Sequence, residues 1–338
     1  MISVIIVGYN SEKYLNDCLA SIYTSTIKKF RVIFVDNNSN DDSVKFIQEN
    51  FKEVIIIKSK ENNGFAKGNN IGIQKAIELG SEYVFLINPD TIIDPNCIEI
   101  LLNKSDPNTV LQPLILLHEN GEKTNLINTS GGVLHYLGFS YCSDYRKNKN
   151  DVTEKDIAIA SGAAVLVPTN ILNKIGLFDE LFFMYHEDVD LFWRARMYGY
   201  NIRLIPDALI WHKYSFSRNK DKMFYTERNR LLFLFKNFSL RYLLLILPIF
   251  VFNEIFILIY ALLTGWLGYK IKSYISLIRL LPKEFEKRKQ NKLVSNKSER
   301  KNKKFISSEI SFSEFAIFLI QPYNYAINFY WKLIYSFI

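Results

Sequence analysis

The first ninety residues alternate short β-branched runs with helical stretches, a period that implies βαβ units and a mostly parallel sheet. Ser3–Val7 reads as a strand, Glu12–Tyr23 as a helix and Phe30–Val35 as a second strand. Asp42–Asn50 reads as a helix opened by acidic residues, and Val54–Lys58 as a third strand. A helix over Gly68–Leu79 ends at Gly80, and Tyr83–Ile87 is the fourth strand. Ligands of such sheets sit beyond the carboxyl ends of the strands. Here every strand runs into polar residues there: Gly8-Tyr9-Asn10, Asp36-Asn37-Asn38-Ser39, Glu61-Asn62-Asn63-Gly64 and Asn88-Pro89-Asp90. Four such ends in succession point to one site. The stretch 111–160 is less regular, with Gly121, Gly131-Gly132 and Gly138 marking hairpins.

At 338 residues the chain exceeds one ordinary core, so a large domain with an appendage, or two domains, is expected. An apolar share of 49% excludes disorder. Cys18, Cys97 and Cys142 lie far apart and fit reduced thiols of a cytosolic setting. Met1–Val7 lacks a basic n-region and a cleavage site, and reads as a buried strand rather than a signal peptide.

Two nucleotide signatures fail. Gly64–Asn69 lacks the Gly-Lys-Ser/Thr ending of a P-loop, and no Gly-x-Gly-x-x-Gly follows the first strand. ATPase and dehydrogenase readings are thereby disfavoured. Asp36 fits two roles, accepting hydrogen bonds from a base or ribose, or closing a local turn. Asn88-Pro89-Asp90-Thr91 offers hard oxygens in a stiff turn, suited to a divalent cation that also holds diphosphate, or it is simply a turn. His212, after the apolar Ile210-Trp211, is a third ligand or a satisfied hydrogen-bonder.

In Phe183–Arg194, Glu187 and Asp188 open a helix, where negative charge suits the dipole. Asp190 and Arg194 are i,i+4 neighbours that can pair along one face. That leaves a carboxylate free at the helix mouth beside Phe182, Phe183 and Tyr185. Partial dehydration there raises its pKa toward that of a general base. The competing reading is a capped amphipathic helix.

Taken together, these segments resemble the family 2 glycosyltransferases, in the rhamnosyltransferase-like branch. The likeness runs through Ile5–Ser11, Asp36–Ser43, Asn62–Gly72 and Leu86–Thr91. It continues through Ser161-Gly162-Ala163, Gly176–Leu191, Gly199-Tyr200 and Trp211-His212, about residues 1–240. The resemblance implies a GT-A fold, a Rossmann-like α/β sheet with helices on both faces, and inverting transfer from a nucleotide-diphosphate sugar. It implies Asp188 as the catalytic base with Glu187 beside it. Asp90 and His212 would hold a divalent cation, Mg2+ or Mn2+. Gly8, Tyr9, Asn10, Asp36, Asn37, Asn63, Gly64, Lys67, Asn69, Asn88 and Trp211 would form the donor site. Asn88 stands where many members carry Asp, which weakens the expected metal affinity. A dTDP- or UDP-linked donor and a lipid-linked or glycan acceptor are expected.

The catalytic domain is expected over residues 1–225, followed by a helical, membrane-associating region over 226–338. Lys283–Lys304 holds ten basic residues (283, 287, 288, 289, 292, 297, 300, 301, 303, 304) against Glu284, Glu286 and Glu299, almost all of the chain's net +8. Leu240–Thr264 is long enough to span a bilayer, but Asn253-Glu254 lies near its middle. A central charge costs about 2.5–3.5 kcal/mol on insertion scales. A single span would also carry the basic segment outside. Helices lying in the cytoplasmic interface, Phe312–Ile338 among them, avoid both problems, and the basic segment then meets anionic headgroups. Nucleic-acid binding is disfavoured, because aromatic interleaving is missing. A sugar-phosphate nucleotidyltransferase would need a basic loop after the first strand, and Gly8–Ser11 has none. A non-catalytic nucleotide-sugar scaffold would have lost the Glu187-Asp188 pair, and both acids are present.

Overall fold

The computed structural model describes residues 1–213, 220–310 and 317–338, the side chains of 290–298 and 317–320 excepted. Residues 312–316 of the second apolar stretch lie outside the described residues, as do the side chains of Lys292 and Lys297. The chain forms two compact units. One comprises Met1–Gly132, Cys142–Ala195 and the chain from Tyr200 through the strand that ends at His212. The other comprises Val133–Tyr141, Arg196–Gly199 and the C-terminal helices. All three cysteines are free.

The first unit opens with β1 (Ile2–Gly8), α1 (Glu12–Tyr23), β2 (Phe30–Asp36), α2 (Ser43–Asn50), β3 (Ile55–Lys58), α3 (Gly64–Glu78) and β4 (Tyr83–Ile87). β5 (Thr91–Ile93), α4 (Cys97–Asn103), β6 (Thr109–Glu119) and β7 (Glu122–Thr129) follow. After β8 (Gly132–His135) and β9 (Ser140–Cys142), which lie almost wholly in the second unit, come β10 (Lys155–Asp156), β11 (Ala164–Pro168) and α5 (Thr169–Ile175) of the first. α6 (Glu187–Met197) and β12 (Asn201–His212) complete the set. Strands β3-β2-β1-β4 are parallel, as the alternation predicts. The sheet then continues through β11, antiparallel to both β4 and β6, to the parallel pair β6 and β12, with β10 at the edge. The glycine-punctuated middle resolves into the β6–β7 hairpin, whose turn residues Asn120 (φ 53°) and Gly121 (φ 82°) are both left-handed.

β1 is buried on both faces, and its alternation assigns a layer to each. Ile2, Val4 and Ile6 join Leu15, Cys18, Leu19 and Ile22 of α1 and Cys97, Ile98 and Leu101 of α4 in one core. Ile5 and Val7 point to the opposite face, toward α3. A Cβ at Gly68 would stand 2.6 Å from Val7, and one at Gly72 would stand 2.5 Å from Ile5. Both glycines therefore let the helix lie directly on the strand. α3 begins at Gly64, earlier than the expected Gly68. The Asn62 side chain accepts the Gly64 N–H (2.9 Å) and Asn37 Nδ2 donates to the Gly64 carbonyl (2.8 Å), so side chains close what reads as loop sequence.

The second unit contains α7 (Lys220–Asn237), α8 (Leu240–Leu263), α9 (Leu267–Asn302), β13 (Ile306–Ser307) and α10 (Ile317–Ile334), with β13 pairing to β8. The Asn253-Glu254 pair that disrupts the apolar stretch is buried. Arg230 pairs with Glu227 (2.9 Å) and with Glu254, while Lys270 pairs with Glu254 (2.8 Å) and with Glu227. Two acids and two bases thus cancel inside the unit.

Gly72→Ala should lower stability by about 1–3 kcal/mol, because its methyl overpacks Ile5 in a sheet that cannot retreat. A urea midpoint lowered at constant slope is the expected result.

Candidate active site

The parallel strands end in loops laced to one another. Asn37 N–H donates to the Gly8 carbonyl (2.8 Å), Asn10 N–H to Ser39 Oγ (3.0 Å), and Asn40 N–H to Asn10 Oδ1 (2.8 Å). Asp36 is buried at the end of β2 and accepts the Ser39 N–H (3.2 Å) on Oδ1, so the turn role is real. Asn37 carries the link onward to Gly64. From there Ala66 N–H reaches the Phe183 carbonyl (3.1 Å), which ties the start of α3 to the loop before α6. At Gly64 (φ +69°) a Cβ would stand 2.4 Å from that same carbonyl oxygen, so no larger residue fits.

β5 pairs antiparallel with β12 in a register that sets Thr91 opposite His212. This brings Asp90 Oδ1 within 3.2 Å of His212 Nε2. His212 Nδ1 lies 3.0 Å from Asn128 Oδ1. An amide oxygen there accepts from the Nδ1–H tautomer of the ring, which leaves Nε2 on the side of Asp90. Asp90 Oδ1 is buried and accepts no aligned hydrogen bond from a described residue. Nε2 and Oδ1 are close enough for one cation seated beside them to be shared, with Asn128 at the other ring nitrogen. Among the described residues no third His, Cys, Asp or Glu joins them. Two protein ligands fit a Mg2+-type site that substrate phosphates complete.

The turn before Asp90 is fixed by Thr91 Oγ1 donating to the Asn88 carbonyl (2.7 Å), and Asn88 N–H donates to the Ala163 carbonyl (2.9 Å). The neighbouring Gly162 N–H donates to Asp188 Oδ2 (3.0 Å), and Val189 N–H donates to Oδ1 (2.8 Å). Asp188 is half-buried, and burial raises its pKa against these two bonds. Glu187 is buried, and its Oε2 has no partner among the described residues. Burial, and then the charge of Asp188, push its pKa well above the usual glutamate range. Asp190 is fully buried and pairs with Arg194 (2.9 Å), as the spacing predicts. The Arg194 guanidinium also donates to the carbonyls of Ile175 (2.6 Å) and Leu177 (2.7 Å).

Hydrogen bonds tie Gly8, Asn10, Asp36, Asn37 and Gly64 together and link Asn88 to the segment that holds Asp188, while Asp90 and His212 meet at 3.2 Å. Other expected positions serve local ends. Asn69 Nδ2 caps the Phe65 carbonyl one turn back (2.9 Å). The Trp211 indole donates to the Thr124 carbonyl (3.0 Å) beneath the Lys123 ammonium. Lys67 lies 3.6 Å from Glu61, while Asn63 is partly exposed and Tyr9 is 48% exposed. Sequence reasoning missed Asn128 and the aligning role of Gly162. It also missed Asn70, whose amide brackets Phe178 from both sides (2.9 Å each). Gly162 stood within a family motif; Asn128 carried no signal at all.

The parallel sheet, flanking helices and strand-end site define an α/β fold of the GT-A kind. The chain belongs to glycosyl transferase family 2, whose profile matches residues 3–177, just over half of its length. It is 28% identical over 204 residues to the low-salt glycan biosynthesis hexosyltransferase Agl10 of Haloferax volcanii, covering 60% of this chain and 63% of the relative. It is 26% identical over 243 residues to an N-acetylglucosaminyl-diphospho-decaprenol L-rhamnosyltransferase of Mycobacterium tuberculosis, covering 65% and 78%. The fold matches that of GalNAc-T7 crystallised with UDP, GalNAc and Mn2+, with a TM-score of 0.58 at 16% identity over 71% of this chain and 48% of that one. It also matches Staphylococcus aureus TarS 1–349 with UDP-GlcNAc, with a TM-score of 0.52 at 17% identity over 91% and 84%. The chain thus spans less than two-thirds of the Haloferax relative and about half of GalNAc-T7.

Glu187→Gln tests the electrostatics. A glutamate whose native pKa is raised contributes its full share of stability below the unfolded pKa and loses it as pH rises through the native one. The Gln variant should therefore gain on the wild type from pH 4 to pH 9, by about 1.4 kcal/mol per unit of raised pKa. Melting curves across that range should diverge toward alkaline pH; curves that stay parallel would mean an unperturbed Glu187.

Proposed function

We propose that this chain is an inverting, metal-dependent glycosyltransferase that moves a sugar, rhamnose or another deoxysugar first, from a dTDP- or UDP-linked donor to a hydroxyl of a lipid-linked or polysaccharide acceptor. The carrying observation is Asp188, a half-buried carboxylate held by two backbone N–H groups and ion-paired to no described residue, linked through Ala163 and Asn88 to the turn that carries Asp90 beside His212. The catalytic region is residues 1–225, and the helices of 226–338 attach it to the cytoplasmic face of the membrane without crossing. The family membership, the GT-A fold and the rhamnosyltransferase likeness support this reading.

Asp188 takes the proton of the acceptor hydroxyl as that oxygen attacks the anomeric carbon. The attack comes from the face opposite the diphosphate, so the new C–O bond inverts the centre. The bond to diphosphate breaks with its electron pair leaving on the phosphate oxygen, through a transition state of oxocarbenium character. Glu187, whose carboxyl is held well above the usual glutamate range by burial and by the charge of Asp188, lies beside the base and can hydrogen-bond the sugar or the acceptor. Asp90 and His212 would hold the divalent cation, which when bound supplies positive charge opposite the departing diphosphate. Asp36 and Asn37, with Gly8, Tyr9 and Asn10, bind the nucleoside side. Asn63, Gly64, Lys67, Asn69, Asn88 and Trp211 complete the donor site, with Lys67 as the cation nearest the start of α3.

Asp188→Asn should reduce transfer by about 10²–10⁴-fold while donor binding survives. Isothermal titration with a dTDP- or UDP-sugar panel, beside a transfer assay, separates the two effects. Turnover near the wild-type rate would remove Asp188 from the role. Asp90→Ala should instead weaken donor binding in Mn2+ or Mg2+ and leave metal-free binding unchanged.

A further inference from the structure

In the second unit, the most apolar helix turns its apolar face outward. Along α8, Leu240, Leu244, Leu247, Val251, Ile255, Ile259 and Leu262 are all exposed, at steps of three and four residues that mark one face of a helix. Phe252 and Leu263 widen that stripe. The opposite face is buried by Tyr242, Ile246, Ile249 and Asn253. Only 28% of the most apolar window of α8 is covered. Exposed stripes recur on α9, as Ile271, Ile275 and Ile278, and on α10, as Tyr325, Phe329 and Leu333. Soluble surfaces do not carry apolar area on this scale without a partner.

Charge identifies the partner. The one carboxylate of α8, Glu254, is turned inward onto Arg230 and Lys270 and receives the Tyr274 hydroxyl (2.6 Å). Asn253 beside it is bonded by Tyr323 of α10. α10 and the first half of α9, to Lys283, contain no acidic residue. The exposed charges next to the stripes are cations: Arg241, Lys272, Arg279, Lys283 and Lys332. Among the described residues, the exposed charges on α8, on α9 as far as Lys283 and on α10 are all cations, which matches a bilayer surface with anionic headgroups. A helix crossing alone would be wetted by lipid on all sides, whereas α8 has a polar back ion-paired to Arg230 and Lys270. We propose that α8 lies in the membrane plane with its Leu240–Leu262 stripe among the acyl chains, and that the α9 and α10 stripes and their flanking cations extend this docking surface on an anionic leaflet. The proposal deepens the membrane-attached reading above, and because vesicle binding requires no catalysis, its failure would leave the transferase reading intact.

The full-length protein should float with vesicles of phosphatidylcholine and phosphatidylglycerol, and less with phosphatidylcholine alone or in high salt. The triple variant L247E/V251E/I255E should lose more than about tenfold in vesicle partitioning at an unchanged urea midpoint. Depth is read separately, with a fluorophore on Leu244→Cys, Val251→Cys or Leu262→Cys in a Cys142→Ser background, quenched by lipids brominated at different positions. Equal depth at the three sites is expected. Flotation unaffected by the triple substitution would overturn the proposal, as would a 251 probe deeper than both ends, the signature of a span. A wild type that ignores vesicles but is a dimer that the triple variant dissociates would assign the surface to a second copy instead.

Discussion

A carboxylate that is to take a proton from a hydroxyl must be dehydrated without being held by a permanent cation, and the architecture around Asp188 meets both conditions. Two backbone N–H groups, from Gly162 and Val189, hold its oxygens. A guanidinium would hold it more tightly but would lower its basicity. The nearest helical arginine, Arg194, is kept away by geometry. It pairs with Asp190 one turn back, and Asp190 stands two residues, about 200°, round the helix from Asp188. Arg194 is fixed further by the carbonyls that end α5.

The Gly162 N–H is useful only because its segment leads into β11, the antiparallel strand between β4 and β6. The same segment holds Asn88 through the Ala163 carbonyl, so Asp188, the proposed base, and the turn of Asp90 share one backbone anchor. On the other flank, the register of β5 on β12 decides the metal pair. Thr91 faces His212, and a slip of one residue would turn the imidazole to the opposite face of the sheet. The geometry of the proposed site is a consequence of strand register more than of the individual side chains.

These dependencies explain what could be read from the residues alone. β1 to β4 and their polar ends were legible because local periodicity sets them, and the Asp190–Arg194 pair because it spans one helical turn. The Asp90–His212 pairing was legible only through family resemblance, since a stiff turn and a lone histidine each have a bland reading. Asn128 was not legible: its bond to His212 joins residues 84 positions apart across a hairpin that the sequence only punctuates with glycines. The start of α3 was misplaced because Asn62 and Asn37 close a turn whose partners lie in different loops. In the C-terminal third, Glu254 was visible as an obstacle to spanning, but its neutralising partners, Arg230 on α7 and Lys270 on α9, were not.

Backbone strain joins these parts. Phe183, Tyr185 and His186 all adopt positive φ (62°, 66° and 68°) immediately before Glu187 and Asp188. Left-handed non-glycine residues cost of order 1–3 kcal/mol each and persist only where the surroundings over-determine them. Here the surroundings are the start of α3, through Ala66 N–H on the Phe183 carbonyl, and the buried Phe182 ring. Relaxing the loop would swing the first turn of α6 and carry Asp188 off the Gly162 N–H. The start of α3 therefore holds Asp188 at a fixed offset from the strand ends, and the strain is the physical mark of that constraint.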